Sequence, residues 1–175
     1  MQASHDGSSD DQKGRIGFYT NDGNDGYNPT LAMTLDSAQR LTVIGDISAA
    51  GGFKQPFGFS RQNVAASLSA VALNIQGSSD NTEYVMPYAG SIIGISIAAN
   101  AARSAGTLTV DATIDGSVTG LQAILNASNT QYHYGTQAKD SDAFTAGQRV
   151  GVKITTDASW APTTADIVVT IFVEM

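Results

Sequence analysis

"TLTVDATIDGSVTGLQAIL", residues 107 to 125, is the stretch on which the fold class turns. Apolar and polar residues alternate on both sides of Asp115-Gly116, the period of a half-buried strand, and Asp-Gly populates the positive φ angles of a type I′ turn. The segment therefore predicts a β-hairpin. Outward from it, strand-like runs occupy 67 to 75, 84 to 88, 91 to 99, 106 to 114, 118 to 125, 131 to 137, 148 to 156 and 165 to 174, separated by turn signals such as "QGSSDN", "NASNT" and "KDSD". Short strands spaced by polar turns predict an antiparallel jelly-roll or β-sandwich head over residues 61 to 175. One helix competes within it, over the Ala-rich "RQNVAASLSAVALN" (61 to 74). The last run, "ADIVVTIFVEM", sets Ile167, Val169, Ile171 and Val173 on one face and Val168, Thr170 and Phe172 on the other. A strand apolar on both faces belongs in the middle of a sheet or against a neighbouring subunit.

The first third of the chain has a different texture. "RIGFYT" (15 to 20), "TLAMTLD" (30 to 36) and "RLTVIGDIS" (40 to 48) alternate in the same way. Three short strands cannot close a core alone. Their apolar residues, Ile16, Phe18, Leu31, Met33, Leu35, Leu41, Val43 and Ile47, are expected to meet copies of the chain or another protein, so residues 15 to 53 are predicted to form a stem. "AAGGFKQPFGFS" (49 to 60), with its Gly pair, Pro56 and three Phe residues, predicts an elbow whose linker covers 54 to 60. Residues 1 to 14, carrying Asp6, Asp10 and Asp11 among Ser and Gly, predict a flexible acidic arm.

Composition excludes several function classes. The 175 residues contain no cysteine, which removes disulfide frameworks and thiolate chemistry together. Nine Lys and Arg residues against a net charge of −7 leave no basic stripe for a phosphate backbone, so nucleic acid is not an expected partner. Charged residues make up 14% of the chain, against roughly 25% in an ordinary domain. Few ions and many small residues suit a β-protein whose surface is partly covered in an assembly. The polar, acidic start and the absence of 18 consecutive apolar residues lead to the expectation of synthesis in a cytoplasm without membrane insertion.

Chemistry-bearing residues are sparse. "DGNDGYN" (22 to 28) resembles a calcium loop, but an EF-hand beginning at Asp22 would have Gly26 and Met33 where oxygen ligands belong. A turn explains the same residues, with Asp22 and Asp25 the residual calcium candidates. No cofactor is expected. The two histidines, His5 and His133, are far apart in sequence and supply no local ligand or nucleophile signature. Asp111 and Asp115 are the carboxylates a glycosidase reading would have to use, but only as any two acids on a strand and its turn would be, and solvated surface acids are the expected reading. Tyr132, Tyr134 and Trp160 sit in expected loops, where they could contact a partner protein or stack on a glycan. The sequon Asn126-Ala127-Ser128 matters only in a secretory pathway.

"RIGFYTNDGNDGYNPTLAMTLDSAQRLTVIGDISAAGGF" (15 to 53) resembles a segment of bacteriophage tail and head fibres in which three chains wind together and lead into a C-terminal head. It departs from that pattern at Gln39-Arg40, where Asn-Gly or Asp-Gly is usual. "YVMPYAGSIIGISIAAN", "FTAGQRVGVKITTDASWAP" and the final strand are similar to small β-sandwich heads on phage virion proteins. The resemblance implies an all-β, homotrimeric virion surface protein without enzymatic activity, a short intertwined β stem followed by a jelly-roll or β-sandwich head. The short chain suits a capsid decoration (cement) or head-fibre protein bound to a phage major capsid protein and stabilising the shell. The alternative is a tail-fibre protein, attached to a tail protein, that recognises a host surface glycan.

Overall fold

A computed structural model of the chain describes residues 2–5, 14–20, 30–43 and 52–175. The chain divides into two compact units, Met1–Ala50 and Gly51–Met175. It is built of antiparallel sheets, with no helix among the described residues.

The smaller unit is a four-stranded meander in the order β1 (Gln2–His5), β2 (Gly14–Thr20), β3 (Thr30–Leu35) and β4 (Leu41–Val43). The expected flexible arm is thus corrected in part: residues 2 to 5 pair with β2 in the register Ala3 to Ile16, because an edge strand offers unpaired backbone groups that a short polar segment can satisfy. The turn between β3 and β4 forms without Asn-Gly. Asp36 organises it, its Oδ1 accepting from the N–H groups of Ala38 and Arg40 at 2.9 and 3.0 Å, while Gln39 takes the left-handed conformation at φ 63°. Those hydrogen bonds, the Arg40 N–H foremost, hold the Asp36 carboxyl below its ordinary pKa.

The larger unit is a sandwich. Its strands are β5 (Lys54–Arg61), β6 (Val71–Ala72), β7 (Asn74–Ile75), β8 (Glu83–Val85), β9 (Gly90–Ala99), β10 (Leu108–Ile114), β11 (Ser117–Leu125), β12 (Tyr132–Thr136), β13 (Asp142–Phe144), β14 (Arg149–Thr156) and β15 (Ile167–Glu174). One sheet runs β12-β9-β15-β5-β7, with β13 also on β9; the other runs β11-β10-β14-β6, with β8 also on β14. Four of the pairings nest one inside another, β5 with β15, β8 with β14, β9 with β12 and β10 with β11, and the ladders of β15 with β9 and of β14 with β10 join them into the two sheets. The Asp-Gly hairpin is present, with Asp115 and Gly116 at φ 48° and 74° and Ile114 opposite Ser117.

Apolar side chains from both sheets fill the space between them, among them Phe59, Leu73, Ile92, Ile95, Leu108 and Ile154, all buried. β15 lies in the middle of its sheet, between β9 and β5, which accounts for its inner row of Ile167, Val169, Ile171 and Val173. Phe57 and Phe59 pack against Tyr84 at ring separations of 4.8 and 5.5 Å, bringing β5 into contact with β8 of the facing sheet.

Two expectations need correction here, and one alternative falls. Residues 54 to 60 are no linker but most of β5, paired with β15 over all eight of its residues. The segment 61 to 74 is not helical: Asn63, Ser67 and Ala70 have φ between 48° and 58°, and the chain crosses from β6 in one sheet to β7 in the other at the buried Leu73. Trp160 is not a surface aromatic. It is buried, and its indole N–H donates to the Val64 carbonyl at 3.1 Å, because the turn from Asp157 folds it inward over the sandwich end.

Two predictions follow from this packing. Trp160→Ala leaves a cavity and an orphaned carbonyl, so chemical denaturation should show a loss of about 3–5 kcal/mol. Asp115 accepts from Arg149 N at 3.0 Å and Gln148 Nε2 at 2.9 Å, bonds that lower its pKa from the ordinary 3.8. A depressed carboxylate stabilises the fold above its ordinary pKa, and that contribution is lost as pH falls through the folded value. Asp115→Asn tolerates the same positive φ. It should therefore melt below the parent at about pH 7 and approach it near pH 3 in thermal scans.

Candidate functional site

Two uncovered sheet faces present themselves, one in each unit. In the smaller unit, pairing places Ile16 beside Leu35 and Leu35 beside Leu41; the next row is Phe18, Met33 and Val43. Six of the eight expected interface residues thereby share one face. Leu31 does not: the bulge between Phe18 and Tyr19 turns it to the other side, where Leu31 and Tyr19 lie over Gly17. Ile47 lies outside the described residues. Among the residues of this unit whose burial is described, Gly17 alone is buried, and Leu41 is 60% exposed. No second layer covers the apolar rows within those residues.

In the larger unit the outer side of the six-stranded sheet is built in three straight rows. The first is Tyr132, Ala98, Val168 and Ser60. The second is Tyr134, Ser96, Thr170 and Gly58, and the third Thr136, Gly94, Phe172 and Pro56. Tyr132 and Tyr134 stand on strand β12 rather than in a loop and are 76% and 70% exposed; Val168 and Phe172 are exposed at 43% and 39%. The floor between them is small because Gly94 leaves room for the Phe172 ring, which approaches to 3.7 Å of where a Cβ would stand. Sequence reasoning singled out the tyrosines, and from the two-sided apolarity of the last strand it left Val168 and Phe172 to the middle of a sheet or to a neighbouring subunit.

The outer side of the other sheet has a different chemistry. Asp111 stands opposite Lys153 and Gln122, and Arg149 pairs with Glu83 at 3.1 Å. Burial raises the Asp111 pKa above its ordinary value. Asp111 and Asp115 thus occupy a strand and its turn, with Asp115 committed to holding Gln148 and Arg149. Their carboxyl pKa values shift in opposite directions, and the cause of the Asp115 shift is the hydrogen bonding that fixes the hairpin against β14, the Arg149 N–H foremost.

His133 has a structural task. Its Nδ1 accepts the Ile124 N–H at 3.0 Å, which satisfies a backbone donor on β11 and fixes the proton on Nε2. Asn126, the sequon residue, accepts from Ser128 N and Asn129 N and so closes its own turn. His5 lies on β1, and Asp22 and Asp25 lie outside the described residues. Among the described residues no group of three or more His, Cys, Asp or Glu side chains could hold a metal. An open bowl of about 620 Å³ is lined by polar residues including Ser60, Arg61, Asn74 and Ser78, without an aromatic platform. A smaller hollow of about 150 Å³ runs from Ser128 to Tyr132, at the end of β12.

No family model matches the sequence, and no curated protein does. Among solved structures, the chain is similar to one titled "Cyanophage Pam1 capsid asymmetric unit", at 15% identity and a TM-score of 0.41, over 79% of this chain and 95% of that one.

Proposed function

We propose that this is a non-enzymatic structural protein of a bacteriophage virion, a homotrimeric decoration or head-fibre protein that binds the capsid surface and stabilises the shell. The observation that carries the assembly is the uncovered apolar face of the smaller unit. Rows of Ile16, Leu35 and Leu41 and of Phe18, Met33 and Val43 sit on a sheet with no buried apolar side chain among its described residues. A sheet of this kind is marginal by itself, and each such side chain gains about 1.5–3 kcal/mol when it is fully removed from water. Identical copies supply the cover that the unit lacks. The motif over residues 15 to 53 supports three chains and a phage particle as the setting.

The nested strand pairing of the larger unit supports reading it as a jelly-roll head. The first long strand lies beside the last, and each following pair nests inside, as when one long hairpin is wrapped into two sheets. On this reading residues 1 to 14 contact the particle, 15 to about 50 form the stem and the remainder forms the head. A second reading, a tail-fibre head that binds a host surface glycan, draws its support from the exposure of Tyr132 and Tyr134.

Saturable binding of the purified protein to undecorated capsids, with none to host cells, is the expected result; binding to cells alone would establish the second reading instead. Light scattering should give the mass of three chains. Leu35→Lys, which sets a charge among Ile16 and Leu41, should reduce that mass toward one chain; a parent protein already of one-chain mass would overturn the stem.

A further inference from the structure

We propose that the three-row outer face of the six-stranded sheet is a second self-association surface, covered by another copy of this chain; the inference rests on the assembly reading above but concerns a different unit. The argument begins with the contrast between two faces of one sandwich. Both are outer sides of antiparallel sheets, and both are open in the single chain. The β10-β14 side carries Asp111, Lys153, Arg149 and Glu83. The β9-β15 side carries no charged side chain in its three rows; Lys54 and the Lys139–Glu174 pair stand beyond the Phe172 row at one end, and Asp166, bonded to Asn63 and Asn100, stands beyond the Val168 row at the other.

Solvation does not require that difference, since the charged side shows how this protein furnishes a face for water. The uncharged side instead has the composition of a buried interface, with tyrosines enriched and charges depleted. Its floor of Ser96 and Ala98 lets another backbone come close, while Tyr132, Tyr134, Val168 and Phe172 supply the contact area. Copies that each carry a net charge of −7 repel, so they meet at least cost where neither presents an ion. Tyr, Ser and Thr hydroxyls both donate and accept, which makes the face complementary to itself. A glycan is the poorer occupant. The rows are flat beside the tyrosines, and the amide side chains on this face, Asn74 beside Ser60 and Gln76 over Gly58, stand at the β7 edge, across β9, β15 and β5 from Tyr132 and Tyr134.

The size of the face decides how it acts. Four strands at ~4.8 Å spacing and five residues at ~3.4 Å give about 300–400 Å² per copy. A specific complex buries about 800 Å² per partner. The face is therefore too small to hold copies together alone and acts jointly with the stem.

The chain has no cysteine, so a single introduced thiol reports on one position. Ala98→Cys lies within the face and Thr155→Cys on the charged side, and both parent residues are exposed in the single chain. Alkylation of full-length protein by a maleimide should be at least about tenfold slower at Ala98→Cys, a difference of about 1.4 kcal/mol in protection. Adding Thr170→Lys should restore the rate, which excludes shielding by Tyr132 and Val168 of the same chain. A parent of one-chain mass would overturn the assembly reading and this inference with it. Parent oligomers in which both thiols react equally fast would overturn this inference alone. Slow alkylation that appears only when host polysaccharide is added would identify a glycan as the occupant and overturn it too.

Discussion

The pairing of β15 with β5 and β9 is the constraint on which the larger unit depends. β15 is in register with β5 from Ile167 opposite Arg61 to Glu174 opposite Lys54, and with β9 from Ile167 opposite Ala99. It therefore closes the sheet from both sides. Because its odd-numbered residues point inward, a shift of one residue would exchange Val169 and Ile171 for Val168 and Thr170 in the core. The C-terminal end of the ladder is pinned further: Phe53 and Met175 exchange backbone hydrogen bonds at 3.1 Å, and Glu174 pairs with Lys139 at 3.1 Å. The sandwich is thus held shut between its first strand and its last, and the nested pairs lie inside that closure.

Where local chemistry alone determines structure, the sequence was legible. Asp115-Gly116 needed positive φ and took it, and the alternating runs around it became β10 and β11 within a residue or two of their expected ends. β14 was equally readable, since it alternates along its length, and β9 and β15 were readable as long apolar runs between turn signals, whereas 131 to 137 read both as a strand-like run and as a loop carrying Tyr132 and Tyr134. β5 was not. Pro56 lacks an N–H and Gly58 has no side chain to pack, so "KQPFGFS" has the composition of an elbow. The fold accepts both because β7 pairs only with Phe59 and Ser60, leaving the Pro56 end of β5 at an edge. Gly58 in turn is covered by Gln76, a long-range contact that no local pattern announces. The same limit applied to Trp160, which stands in a turn by sequence and in the core by virtue of Val64, 96 residues away.

The candidate surfaces divide in the same way. Period-two spacing identified Ile16, Phe18, Met33, Leu35, Leu41 and Val43 as one apolar set, and the β2-β3-β4 register places them together. It could not show that a bulge removes Leu31 to the opposite side, because a bulge is a property of the pair of strands and not of either one. Tyr132 and Tyr134 were visible as aromatic residues two apart. That they continue rows through Ala98 and Val168 depends on strand order, which becomes visible only when residues distant in sequence pair.

The two units differ in what stabilises them, and this has a consequence for assembly. The larger unit buries a full set of apolar side chains between its own sheets and needs no partner to do so. The smaller unit has no buried apolar side chain among its described residues, so its gain from burial depends on contacts beyond them. If copies provide those contacts, folding of the stem and association of the chains are one equilibrium, and its position moves with concentration. On that proposal, a larger unit that folds alone and a smaller unit that folds only in company would let chains accumulate in dilute solution and complete the smaller unit where they are gathered. The low charge of the chain is consistent with this order of events, because every ion absent from a face is one that need not be desolvated when copies close on it.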